Sequence, residues 1–268
     1  MGKQAPAWPQ ALLAPDLPPG EVHLWRVELE QAGDQQRLWE VLSDRERAQA
    51  GRLRFALHRG RYVVSRGLLR VVLGRYLGLA PEKVHYRYGP RGKPTIEAAG
   101  TPPLHFNASD SGRLAVFAVA RAGECGVDLE RARADFPALE VARRFFSPAE
   151  VTGLEALGTR RQREAFFACW TCKEAYLKAT GEGISGRLRE AAFWPLASLG
   201  APLACHCDPA WSLYRFVPAP GYLGALVVKG QGWQVRTWEL LQASPLTVKA
   251  AGPAPAHIPG SRPSAGEW

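Results

Sequence analysis

The stretch Phe166–Gly181, FFACWTCKEAYLKATG, governs the reading of the whole chain. Its pattern predicts one long helix over 159–180, closed by Gly181 where a left-handed cap belongs. Phe166, Phe167, Trp170, Tyr176 and Leu177 surround it with large apolar groups, so this helix should be mostly buried. Glu174 and Lys178 stand four apart and share a face. Most such pairs are solvated salt bridges worth ~0.3–0.5 kcal/mol. In so apolar a setting the few charges need partners. A metal ion for the carboxylate and a phosphate for the ammonium would supply them. Cys169 and Cys172 form a CxxC in the same helix and, with Cys205-His206-Cys207, match the composition of a zinc site. Their aromatic, helical surroundings favour small buried hydrophobes instead.

Upstream, Cys125–Glu130 (CGVDLE) reads as a short strand behind a turn containing Gly123. The period of two puts Asp128 and Glu130 on one face. Two hard oxygen ligands with positions left open for water and phosphate suit Mg²⁺, although D-x-E alone also describes an exposed strand end. Asp135 is the expected cap of a helix ending at Phe146. Ser147-Pro148-Ala149-Glu150 is a capping box.

Further toward the N-terminus, Val22–Leu29 reads as a strand, 34–43 and 44–56 as helices, and 58–77 as a longer helix ending at Gly78. Tyr62, Ser65, Leu69, Val72 and Tyr76 share one face of that helix. Strand patterns follow at Val84–Tyr88, Leu104–Asn107 and Arg113–Ala120, and Gly89–Gly92 carries turn chemistry. Beyond 188, WSLYRFV, YLGALVV and WQVRTWEL alternate with Pro/Gly turns. The class is α+β, with an N-terminal half over 1–120, a C-terminal half over 121–242 carrying the candidate metal site, and a disordered Pro/Ala/Gly-rich tail over 243–268.

The composition narrows the setting. An apolar share of 46% and a charged share of 22% are ordinary for a globular protein. The net charge of +9 favours a polyanionic or phosphorylated partner. Arginine dominates the basic residues and suits two-pronged contacts to phosphate. No apolar run approaches the ~18–20 residues of a membrane span. Met1–Pro6 opens no signal region and lacks the myristoylation pattern, so a soluble cytoplasmic protein is the expectation. Five cysteines without an export signal argue against a disulfide scaffold.

Taken in order, Gly92-Lys93-Pro94, Phe106–Ser111 (FNASDS), Gly126–Glu130 (GVDLE), Phe145–Glu150 (FFSPAE) and Trp170–Gly181 (WTCKEAYLKATG) resemble the Sfp-type 4′-phosphopantetheinyl transferases. That family's elements are GKP, FN-x-SHS, G-x-D-x-E, FFS-x-x-E and W-x-x-KEA-x-x-K-x-x-G. The match covers roughly 43–185. The resemblance implies a pseudo-dimeric fold of two similar α/β halves with the active site in the cleft between them. It implies Mg²⁺ and coenzyme A in that cleft. It also implies transfer of the phosphopantetheine arm to a serine of an apo acyl or peptidyl carrier protein, releasing 3′,5′-ADP. Carried over by position, Asp128, Glu130 and Glu174 would ligate the metal, and Lys178 would contact the phosphates. Lys93 would reach the nucleotide phosphate, Ser109 would lie near the coenzyme, and Arg61 would meet its 3′-phosphate. Glu174 or a metal-bound water would deprotonate the carrier serine. Asp110 stands where the family has a histidine against the coenzyme's phosphates, and an anion there repels them. Arg47, Arg52 and Arg54 stand near two family lysines that are not matched.

The basic surface would also steer an acidic carrier toward the protein. A chain carrying both halves is expected to be monomeric. Two other readings compete. One is a non-catalytic relative that binds coenzyme A or a carrier, with Asp110 as the disabling change. The other, a nucleic-acid binder, rests on charge alone; no binding motif supports it, and the aromatics sit at core-like periods.

Overall fold

The computed structural model describes residues 8–11, 16–30, 34–97, 103–182, 188–194, 203–205 and 208–240. The first half contributes β1 (Gln10–Ala11), β2 (Glu21–Glu28), α1 (Gln35–Glu40), α2 (Asp44–Gly51), α3 (Ala56–Leu77), β3 (Tyr86–Tyr88), β4 (Pro94–Ile96), β5 (Leu104–Ser111) and β6 (Leu114–Arg121). The second contributes β7 (Cys125–Arg131), α4 (Ala138–Phe145), α5 (Pro148–Glu155), α6 (Thr159–Thr180), β8 (Leu203–Cys205), β9 (Asp208–Phe216), β10 (Tyr222–Lys229) and β11 (Gln234–Leu240).

Two sheets carry these strands, in the orders β1-β11-β2-β6-β5 and β7-β10-β9-β8, beside a small β3-β4 hairpin. Both sheets are built on one motif. The first long strand of each half pairs antiparallel with the last hairpin strand, β2 with β6 and β7 with β10. That strand in turn pairs with the one before it, β5 or β9. Trp25, Val27, Ala115, Phe117 and Val119 pack under α3. Val22, Leu24, Val116 and Ala118 face Val127, Leu129, Leu226 and Val228 of the other sheet. Phe166, Cys169, Cys172, Ala225 and Val227 fill the space under α6. The layers are therefore helix, sheet, sheet, helix. Both faces of β6 are covered, which is why LAVFAVA is a continuous apolar run rather than an alternating one.

The fold is α+β with two similar halves, as expected. Several details differ from the sequence pattern. The helix expected over 44–56 stops at Gly51, and the last residue of that span, Ala56, opens α3 instead. The strand beginning at Leu104 runs on to Ser111. Asp135 is not a cap: α4 begins after Pro137, with no side-chain capping bond. β11, expected with the C-terminal half, lies parallel to β2 in the N-terminal sheet. Residues 206–207 of the Cys205-His206-Cys207 cluster and the tail expected over 243–268 lie outside the described residues.

Candidate active site

The site begins with a close approach. α6 lies on β7 at Gly126, where a Cβ would fall 2.2 Å from the Ala175 carbonyl oxygen and 2.3 Å from the Ala179 nitrogen. Those atoms are backbone and cannot step aside, so only glycine fits. This contact sets Asp128 against the inward face of α6. Lys178 Nζ donates to Asp128 Oδ1 at 2.6 Å, to Ser109 Oγ at 3.0 Å and to the Val127 carbonyl at 3.3 Å.

The two sheets are stitched together at this point by side chains. Alternate residues of the β5 edge reach the unpaired N–H groups of β7. Asn107 Oδ1 accepts from Val127 N–H, Ser109 Oγ from Leu129 N–H, and Ser111 Oγ from Arg131 N–H. The same hydroxyls donate to the carboxylates, Ser109 to Asp128 and Ser111 to Glu130, each at 2.9 Å. The polar run Asn107-x-Ser109-x-Ser111 thus joins the halves and orients both β7 carboxylates.

Three carboxylates crowd this place. Burial, then the negative charge of Asp128, pushes the Glu174 carboxyl up to about 7. Burial and Asp128 also raise Glu130. Asp128 Oδ2 and Glu174 Oε1 are buried and have no hydrogen-bond partner. Orphaned carboxylate oxygens in a crowded acidic site call for a cation, and hard oxygen donors suit Mg²⁺. As the side chains stand, Lys178 holds Asp128, and no three acidic, histidine or cysteine side chains are gathered in a ligating cluster among the described residues. The residues fit the ion by chemistry and by orphaned atoms, not by a formed cage.

The cluster opens into a cleft of about 240 Å³ lined by Glu174, Lys178, Lys93, Arg66, Phe106 and Ala108, among others. A second cavity of about 550 Å³ adjoins it and shares Arg66, Gly92, Pro94 and Phe106.

Residues 124–225 match the family model of the 4′-phosphopantetheinyl transferase superfamily, and residues 30–122 match the model of the N-terminal part of a 4′-phosphopantetheinyl transferase. The 4′-phosphopantetheinyl transferase HetI of Nostoc sp. is 42% identical over 222 residues, covering 81% of this chain and 92% of that protein. The chain belongs to the 4′-phosphopantetheinyl transferase superfamily. A 4′-phosphopantetheinyl transferase of Bacillus subtilis is 32% identical over 154 residues, 58% of this chain and 66% of that protein. The transferase Sfp of Bacillus subtilis strain 168 is 34% identical over 118 residues, 44% of this chain and 50% of that protein.

The structure brings Asp128, Glu130, Glu174, Lys178 and Ser109 together. Lys93 lines the cleft, and its ammonium donates to the Ala179 carbonyl near the end of α6. Arg61 lines neither cavity and pairs with Glu30. Asp110 is exposed, one strand step beyond Ala108 on the face that lines the cleft, and does not itself line it. Cys169 and Cys172 are buried core side chains, and Cys169 donates to Glu150 Oε1 at 3.2 Å. Two features escaped the sequence reading. Lys173, wholly buried, pairs with Glu150 at 2.9 Å, so the lysine of KEA supports the helix from behind. Arg66 sits in both cavities. Its place one turn after Tyr62 on the α3 face was the available signal.

Proposed function

We propose that the protein transfers the phosphopantetheine arm of coenzyme A to a serine of an acyl or peptidyl carrier protein. The observation that carries this reading is the meeting of Asp128, Glu174 and Lys178 at the mouth of a cleft lined with cations. Asp128, Glu130 and Glu174 are the residues that would hold Mg²⁺. Bound there, the ion would neutralise charge on the pyrophosphate. Lys178, released from Asp128, meets the phosphates as a point charge. The serine oxygen forms a bond to the phosphorus that carries pantetheine. The bridging P–O bond breaks, and 3′,5′-ADP leaves with the electron pair. Lys178 stabilises that departing oxygen. Glu174 is the protein group placed to take the serine proton. Ser109 and Ser111 hold the β7 carboxylates in place throughout.

The net charge of +9 supports an acidic carrier as partner. No helix among the described residues is long and apolar enough to cross a membrane. We place the protein in the cytoplasm as a monomer, since both halves of the site come from one chain.

Loading of an apo-carrier, followed by intact mass, tests the reading. With coenzyme A and Mg²⁺ the carrier should gain one phosphopantetheine. Chelation should stop the gain, and added Mg²⁺ should restore it. Binding of coenzyme A without any loading across a panel of apo-carriers would favour a non-catalytic relative instead.

A further inference from the structure

We propose that an arginine-lined groove in the C-terminal half seats an acidic, amphipathic helix of the carrier protein and so selects which carriers are loaded; this rests on the transferase reading. The groove has a volume of about 700 Å³ and lies between the first half of α6, the residues after β7 and the turn joining β9 to β10. Arg133, Arg160, Arg161, Arg163 and Arg215 line it, against one carboxylate, Glu164. Leu157, Ala165, Ala168, Val217 and Leu223 give it an apolar wall. It shares no lining residue with the cleft that holds Lys178, nor with the cavity adjoining that cleft.

The groove adjoins the two β7 carboxylates along the sheet. Asp128 stands opposite Ala225 and Ala225 opposite Arg215, while Glu130 stands opposite Leu223. On α6, Arg163 precedes Glu174 by eleven residues. That is about three turns, so the two share a face roughly 16 Å apart. Lys178 stands about one turn beyond Glu174. The order along α6 is therefore groove, candidate base, then the lysine that meets the departing 3′,5′-ADP. An in-line transfer brings the attacking oxygen from the side opposite the leaving group. With the leaving group at the Lys178 end, the carrier serine enters from the groove end. The arginines also stand where their own helix opposes them. α2 and α5 each open on a serine cap with a glutamate. α6 opens with no side-chain cap and no acidic residue in its first turn. Arg160, Arg161 and Arg163 add positive charge to the positive end of its dipole. None of the three is held in a salt bridge among the described residues. An anionic partner offsets that repulsion, and arginines over an apolar wall match a helix with an acidic flank and an apolar face.

Steady-state loading of the apo-carrier that wild type loads best, read by intact mass, tests this. Arg161→Glu and Arg163→Glu should each raise the KM for the carrier roughly 5- to 50-fold, since each exchanges an attraction for a repulsion. Turnover at saturating carrier and the KM for coenzyme A should stay within about twofold, as for loss of docking alone. Glutamate suits the start of a helix, so both variants should fold, and their melting midpoints check this. Arg37→Glu makes the same charge change at an exposed residue of α1 and should leave the carrier KM unchanged. A carrier whose acidic helix residues are changed to lysine should be loaded better by Arg163→Glu than by wild type. An unchanged carrier KM in both groove variants, or an equal rise in Arg37→Glu, would overturn the assignment. So would loss of binding to phosphatidylglycerol vesicles with the carrier KM intact, which would make the groove a lipid site. If wild type loads no carrier in the panel, the transferase reading fails and the proposal falls with it. That result is separate from the variant outcomes.

Discussion

The two halves use one frame and fill it differently. In each, a serine capping box opens a short helix, Ser43 with Glu46 and Ser147 with Glu150. In each, the glutamate of that box is buried and pairs with a cation fourteen residues into a 22-residue helix, Arg70 in α3 and Lys173 in α6. Both helices end on a left-handed glycine, Gly78 and Gly181. The difference lies one residue further on, where α3 has Val71 and α6 has Glu174. Four residues later, Arg75 stands opposite Lys178 in the comparison. Under α3 the contact to the sheet is aromatic: the Tyr76 hydroxyl meets His23 Nδ1 at 2.6 Å and Trp25 Nε1 at 2.9 Å. Under α6 it is the bare backbone of Gly126. One half therefore seals its helix with rings. The other lowers its helix onto a strand and leaves room for charge. The acidic cluster stands on the second half, while residues of the first, Arg66, Lys93, Phe106 and Ala108 among them, supply much of the lining of the cleft.

The strongest challenge to a shared frame is removal of its buried cations. Lys173→Ala and Arg70→Ala each leave a buried glutamate unpaired, and each should cost about 3–5 kcal/mol in urea unfolding. A large loss in one and little in the other would mean that the resemblance between the halves is only geometric.

Next in size is Gly126→Ala, which should destabilise by about 1–3 kcal/mol through overpacking. It should also cut carrier loading, because α6 must lift away from Asp128. Normal loading in a folded variant would show that the close approach does not position the site.

Acid should act on the halves in turn. Burial holds the imidazole of His23 below its ordinary 6.5, against a weaker opposing effect of the hydrogen bond it donates to Glu21. The unfolded chain takes that proton first, so stability falls as pH drops below 6.5. Burial pushes Glu150 up, but Lys173 and the Phe193 N–H outweigh it and hold the carboxyl below its ordinary 4.5. Its contribution is present above that value and is lost as pH falls through the folded one. Each step has a slope of at most about 1.4 kcal/mol per pH unit. Unfolding free energies measured against pH should lose the upper step in His23→Phe and the lower one in Glu150→Gln. Profiles unchanged by both substitutions would refute the order.

Smallest are the caps. Ser43→Ala and Ser147→Ala should each cost about 1 kcal/mol, read as a lowered melting midpoint.

Much of this was legible in the sequence where the signal is local. α6, β7, the glycine-capped ends of the two long helices and the Ser147–Glu150 box follow from period and capping chemistry. The joint placement of Asp128, Glu130, Glu174 and Lys178 followed from the resemblance. The illegible parts depend on distant partners. The return of β11 to β2 is a parallel pairing between the two ends of the chain, and no local pattern encodes it. Glu150 read only as part of a cap and Lys173 only as a letter of the KEA motif, because their pairing joins separate helices. Ser109 looked like a ligand contact, yet it also bonds the backbone of the other sheet. Asp135 offered good capping chemistry, but Pro137 starts the helix later.

The central claim is that the β7 and α6 charges form one phosphoryl-transfer site. Asp128→Asn keeps the shape of the side chain and removes its charge. Intact mass of an apo-carrier incubated with coenzyme A and Mg²⁺ should show full loading by wild type and none by the variant, at matched melting midpoints. Loading by Asp128→Asn at the wild-type rate would contradict the account.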